Sequence, residues 1–196
     1  MDIYGKELLS NNIKRRIETA RFGLFTFQMG IDAGKVSMTL QRVTDAQKRF
    51  LSSPLSQVAK RLEQEVLVSS IFSTNTIEGG TLTEEETREA ITIDPERVKA
   101  EEQRRAVNIK IAYELAEKSA QRADWRLSVS FIKNIHATVT DGISHKYNKP
   151  GKIRNNPKNI VTHVGDAAHG GQYKPPQYGG DIELLLENLV KWHDEL

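Results

Sequence analysis

Residues 73–86 read STNTIEGGTLTEEE and contain the end of one helix and the start of the next. Gly79 and Gly80 end the first helix, because glycine adopts the left-handed backbone conformation that closes a helix at little cost. Thr83 and Glu86 have the spacing of a capping box, in which a hydroxyl and a carboxylate each satisfy an unpaired backbone N–H. The stretch therefore predicts two helices joined by a short turn.

The segment before this turn has the apolar spacing of a long amphipathic helix between Thr44 and Ile77. Its apolar positions are Leu51, Leu55, Val58, Leu62, Val66 and Ile71. Pro54 predicts a break near the start of this helix, because proline lacks the N–H that a helix interior needs. Residues 3–31 mix apolar and basic residues at a rough helical spacing, which predicts one helix followed by a loop.

Three more helices are predicted downstream. Asp94 and Pro95 form a start signal for the first, since the carboxylate caps and proline needs no donor there. The second runs from about Val129 to near Gly142. Asp181 is expected to cap the last helix, which has a wide apolar face that needs a neighbour. Between the last two, residues 149–180 combine prolines and glycines with short β-prone pieces and predict a loop with a two-stranded hairpin.

Composition excludes several classes of site. The chain has 196 residues, no cysteine and a formal net charge of +2, from 28 Lys and Arg against 26 Asp and Glu. Disulfide frameworks, thiolate zinc sites and cysteine nucleophiles are therefore excluded. The basic residues are scattered among acidic ones, so nucleic acid is not an expected partner. Since no stretch approaches the ~20 apolar residues that cross a bilayer, we expect no membrane association and a cytoplasmic location.

Few residues carry recognisable chemistry. His136 alone among the histidines lies in a helical apolar pattern, and we interpret it as structural. His163 and His169 flank Asp166, but the glycines around them argue against a metal site. Glu78 lies in the last turn of its helix, where the helix dipole disfavours a carboxylate by about 0.3–1 kcal/mol. A positive partner would compensate this cost, and a solvated glutamate beside a glycine cap is the alternative.

Residues 73–86 resemble the N-terminal segment of Fic-family proteins, in which Ser or Thr, three residues and Glu-Gly precede a Thr-x-x-Glu helix start. Further similarities follow in the family's order: Asn108 in AVNIKIAYEL, Ile135-His136 in IKNIHATVTDGI, Pro150 to Arg154 and Tyr173 to Pro176. The resemblance covers about residues 44–196. It implies an all-α, mainly helical Fic-like fold with a small β-hairpin flap, and we expect the fold to be incomplete at the C-terminus.

The resemblance also implies an organisation of the chain. Residues 1–120 would be an N-terminal helical region that contains an inhibitory helix at about 55–79. Residues 121–196 would be the first part of the Fic core, with the flap at about 150–178.

Roles for individual residues follow from the same resemblance. Thr74, Glu78 and Gly79 would form the inhibitory motif that competes with ATP, in which the glutamate pairs with an arginine that otherwise holds the γ-phosphate. The flap would bind a target segment by strand addition. Its docking residues would be Arg154, Asn159, Ile160 and Val161.

The family's catalytic signature, His-x-Phe-x-Asp/Glu-Gly-Asn-Gly-Arg-x-x-Arg, does not occur in this sequence. We therefore expect no catalytic residue here, no firmly bound cofactor, and ATP and Mg²⁺ only in a complete parent. The implied function is the N-terminal portion of a self-inhibited protein adenylyltransferase, which transfers AMP from ATP to a Ser, Thr or Tyr hydroxyl and is inactive as this chain. A non-catalytic Fic-like regulatory or protein-binding module is the alternative. Expected partners are a protein substrate, which could be the chain itself, the remainder of the Fic core and a second copy.

Overall fold

A computed structural model describes residues 13–29, 33–144, 149–156 and 173–195. These residues form six α-helices and one antiparallel hairpin, which confirms a mainly helical fold; the hairpin lies at a position where the sequence predicted none. The elements in chain order are β1 (Ile13–Glu18), β2 (Leu24–Met29), α1 (Ala33–Leu51), α2 (Leu55–Ile77), α3 (Glu84–Ala90), a short 3-10 helix (Pro95–Arg97), α4 (Glu101–Ala120), α5 (Val129–Val139) and α6 (Gly179–Glu195). Within these ranges, no helix is long and apolar enough to cross a bilayer.

The hairpin lies where the sequence predicted a helix, so that prediction is wrong for residues 13–29. β1 pairs antiparallel with β2, and Ile17 lies opposite Phe25. Burial alternates along both strands, with Ile17, Phe25 and Phe27 half-buried and their chain neighbours exposed, as expected for a strand with one covered face. Gly23, with a φ of +88°, completes the turn between the strands.

The long helix breaks at Pro54, as predicted, and its first part begins at Ala33 rather than near Thr44. None of the described side chains of α1 is buried. The apolar stripe that the sequence identified on α2 is also exposed along its first half, including Leu55, Leu62 and Val66. The buried face of this helix lies farther along the chain.

The core forms where α2, α3 and α4 meet. Its buried members are Val68, Ile71, Ala90, Ile91, Ala106 and Ile109. The predicted capping box orients α3 in this core: Thr83 Oγ1 accepts the Glu86 N–H at 3.2 Å, and Glu86 Oε2 accepts the Thr83 N–H at 2.7 Å.

Asp94 and Pro95 do not open α4, contrary to the prediction. The Asp94 carboxylate accepts the Glu96 N–H and starts only the short 3-10 helix, after which Val98 is extended. α4 begins at Glu101. The following helix, α5, is capped by Ser128 and ends at Val139, close to the predicted end.

α6 differs from the prediction in both its cap and its neighbour. The helix begins at Gly179, so Asp181 lies inside its first turn rather than before it. The hairpin covers part of the apolar face that was expected to lack a neighbour: Phe27 stacks on Trp192 with ring centroids 5.9 Å apart. An ion pair of 3.0 Å between Arg15 and Glu195 extends the same contact.

Candidate functional site

The three residues of the predicted inhibitory motif lie together at the C-terminal end of α2. Glu78 is the C-cap residue, and its N–H donates to the Thr74 carbonyl at 3.1 Å. Gly79 follows with a φ of +83°, and its N–H donates to the Thr76 carbonyl. Thr74 is half-buried, whereas Glu78 and Gly79 are exposed. The helix therefore ends in a glutamate whose side chain faces solvent.

Arg105 of α4 contacts this helix end. Its Nη1 donates to the backbone carbonyl of Glu78 at 3.4 Å, and its Nη2 donates to Glu101 Oε1 at 3.0 Å. The guanidinium thus offsets the negative end of the α2 dipole through the main chain. No Lys or Arg of the described ranges forms an ion pair with the Glu78 carboxylate.

The turn after Glu78 is held by a buried contact that the sequence analysis missed. Asn75 is fully buried, and its backbone carbonyl accepts the Gly80 N–H at 2.7 Å. A Cβ on Gly80 would overlap the Asn75 amide, which would have to shift to make room for it. Neither polar atom of this amide has a hydrogen-bond partner among the described residues. The second glycine of the pair was the available signal, since a close backbone approach favours it.

An ion pair joins α2 to α3 on the protein surface. Arg88 Nη1 and Nη2 donate to the two carboxylate oxygens of Glu65 at 2.9 and 2.7 Å. These hydrogen bonds from Arg88 hold the pKa of Glu65 below its ordinary value. In the same way, the hydrogen bonds from the Thr83 backbone and hydroxyl lower the pKa of Glu86.

The two arms of the predicted flap come together at its base. Arg154 donates from Nε and Nη2 to the Pro176 carbonyl at 3.0 and 2.9 Å, and the Asn156 N–H donates to the Gln177 carbonyl at 2.8 Å. Arg154 therefore holds the base of this segment. The other predicted docking residues, Asn159, Ile160 and Val161, lie outside the described residues, as does the expected flap hairpin.

His136 also helps to hold the base of the predicted flap. Its Nδ1 accepts the Gly151 N–H at 3.0 Å, which anchors the turn that leads into the first arm and supports the structural interpretation. Within the described ranges, no group of three His, Asp or Glu side chains is arranged to hold a metal ion. The residues around Asp166 lie outside those ranges.

No family model, curated protein or solved structure matches this chain. The Fic resemblance therefore stays a prediction from the motifs quoted above. The structure shows a mainly helical protein in which the three predicted inhibitory residues lie at the end of one helix.

Proposed function

We propose that this chain is the N-terminal portion of a self-inhibited protein adenylyltransferase of the Fic kind. The observation that carries the proposal is the position of Glu78: an exposed carboxylate at the end of α2, with no ion pair to a described Lys or Arg. An arginine from the remainder of a Fic core is the partner proposed for it. The helix dipole does not oppose this role strongly, since Arg105 already bonds the terminal carbonyl.

The inhibition follows from the chemistry of arginine. A guanidinium that donates two parallel hydrogen bonds to a carboxylate cannot give the same donors to a phosphate. ATP would then bind without its α-phosphate aligned with the attacking hydroxyl, and a misalignment of about 1 Å can cost about 100-fold in rate. The contact between Gly80 and Asn75 supports this role, because a blocking carboxylate must be held in place.

Among the described residues, no three His, Asp or Glu side chains are grouped to hold a metal ion, and the sequence has no glycine-rich phosphate loop. The general base and the phosphate-binding loop of the proposed reaction must come from residues that this sequence does not contain. This chain supplies the inhibitory side chain.

The test is AMP transfer by the complete parent protein with Glu78→Gln and Glu78→Gly. We expect both variants to incorporate labelled AMP at least about tenfold faster than the unmodified parent, because the arginine is released. Glu63→Gln is the matched control, since Glu63 is an exposed glutamate of the same helix, and it should leave the rate unchanged. Equal rates for all four proteins would refute the inhibitory assignment.

A protein-binding module without catalysis is the second candidate. It is favoured by the exposed apolar side chains along α1 and α2, such as Leu51, Leu55 and Leu62, because stripes of this kind commonly mark protein interfaces. A parent that binds a partner through this stripe, and transfers no AMP even as Glu78→Gly, would establish this candidate instead.

A further inference from the structure

A cleft of about 330 Å³ lies where three parts of the described chain meet. The turn of the hairpin forms one wall, the base of the predicted flap forms the second, and the start of α6 closes the end. The lining residues are Arg21, Phe22, Asn156, Lys174, Pro175, Gln177, Tyr178 and Asp181. The cleft is remote in sequence from the inhibitory residues at the end of α2.

The cleft presents positive charge to solvent. Arg21 and Lys174 are exposed on its walls, and the Arg21 guanidinium lies 4.3 Å from the ring centroid of Tyr178, which fixes its position. Among the described lining residues, the one carboxylate is that of Asp181, which is only 2% exposed. It accepts the N–H groups of Ala20, Arg21 and Phe22 at 3.0, 3.0 and 2.8 Å, so its charge is met by the backbone. A ligand would therefore meet two cations.

An exposed aromatic pair indicates what else the ligand carries. The rings of Phe22 and Tyr173 lie edge to face with centroids 6.5 Å apart, and they are 37% and 44% exposed. This pair offers an apolar contact beside the cations. Gln177 donates from Nε2 to the Pro175 carbonyl at 2.9 Å, which holds the chain next to Lys174.

We propose that this cleft is a docking site for an acidic, extended peptide segment of a partner protein. A carboxylate of the peptide lies between Arg21 and Lys174, and the neighbouring apolar side chain contacts Phe22 and Tyr173. An acidic peptide combines a carboxylate with a neighbouring apolar side chain, whereas a small anion would use only the two cations.

The test is a titration of the isotopically labelled chain with a short synthetic peptide that has a Glu-Leu-Glu centre in a Gly-Ser background. Chemical shifts of the backbone amides of Arg21, Phe22, Gln177 and Tyr178 report binding at the cleft. We expect saturable shifts with this peptide and none with a matched peptide that has a Gln-Leu-Gln centre.

Variants then assign the contacts. Lys174→Gln should weaken binding by about two- to fivefold, the range for one exposed ion pair, and Arg21→Gln combined with it by about tenfold or more. Lys118→Gln is the matched control, because Lys118 is an exposed lysine of α4, and it should bind like the unmodified chain. Unchanged far-UV circular dichroism of each variant shows that it is folded.

Three results would overturn the proposal. Equal binding of the Glu and Gln peptides would show that the cations do not select an acid. Inorganic phosphate that produces the same shifts at the same concentration would identify a small-anion site. A single-stranded oligonucleotide that binds the cleft more tightly than the peptide would make the partner a nucleic acid.

Discussion

Replacing Asp181 by alanine should release the N-terminal hairpin from α6. The carboxylate accepts three consecutive backbone N–H groups across about 160 residues of chain, at 2.8–3.0 Å. Each N–H left without an acceptor costs about 1–3 kcal/mol, and partial access of water to this turn favours the lower end. Some of the loss is offset because a buried charge is no longer desolvated. We therefore expect a loss of about 3 kcal/mol for Asp181→Ala and about half of that for Asp181→Asn, which keeps one acceptor oxygen.

Urea unfolding followed by far-UV circular dichroism measures this loss. Hydrogen exchange of the Ala20, Arg21 and Phe22 amides locates it, and the fluorescence of Trp192 in a Trp125→Phe background reports whether Phe27 still stacks on the indole. Glu187→Ala, an exposed change on the same helix, is the control and should stay within about 0.5 kcal/mol. If Asp181→Ala matched this control and the three amides stayed protected, the anchoring role of the carboxylate would be wrong.

Three further predictions concern the helical body. Gly80→Ala should destabilise the chain by about 1–3 kcal/mol, because the new Cβ overlaps the Asn75 amide. Asn75→Leu should raise the free energy of unfolding, because it removes buried polar atoms that lack partners among the described residues. A change of the opposite sign for either variant in urea unfolding would contradict this packing. Glu65→Gln should lower the melting temperature slightly at neutral pH. Arg88 lowers the pKa of Glu65 in the folded state. The ion pair therefore stabilises the fold at pH values above the ordinary pKa of 4.5, and this stabilisation is lost as the pH falls through the lowered pKa. The two melting curves should converge in acid, and a difference that persists there would rule out the ion pair as its cause.

Signals that act within a few residues were predicted well. The capping box at Thr83 and Glu86, the glycine after α2 and the break at Pro54 each depend on backbone geometry that the residue itself sets. For the same reason, the position of Glu78 at a helix end was confirmed. The compensating Arg105 was not identified from sequence, because it lies on another helix and bonds the carbonyl of Glu78 rather than its carboxylate.

Predictions failed where distant elements decide the local structure. Residues 13–29 carry apolar residues at spacings that suit either a helix or a strand. Which of the two forms depends on which apolar face packs against another element. α6 supplies that cover through Trp192, from the other end of the chain. The prediction that Asp181 caps its own helix failed for a related reason. A carboxylate near a helix start usually caps that helix. The hydrogen bonds that Asp181 accepts from the hairpin turn involve residues far away in the chain, so no local sequence pattern indicates them.

Asp181 also separates two explanations of the proposed docking cleft. If charge alone governed the affinity for an acidic peptide, removing a carboxylate from the wall would strengthen binding. If the placement of Arg21 and Phe22 governs it, the same change would weaken binding, because the backbone of both residues is held by that carboxylate. The three backbone donors already meet the negative charge, and binding groups must be fixed in position to act together. We therefore expect Asp181→Ala to weaken docking, since the buried anion creates the cationic site by fixing the turn that presents it.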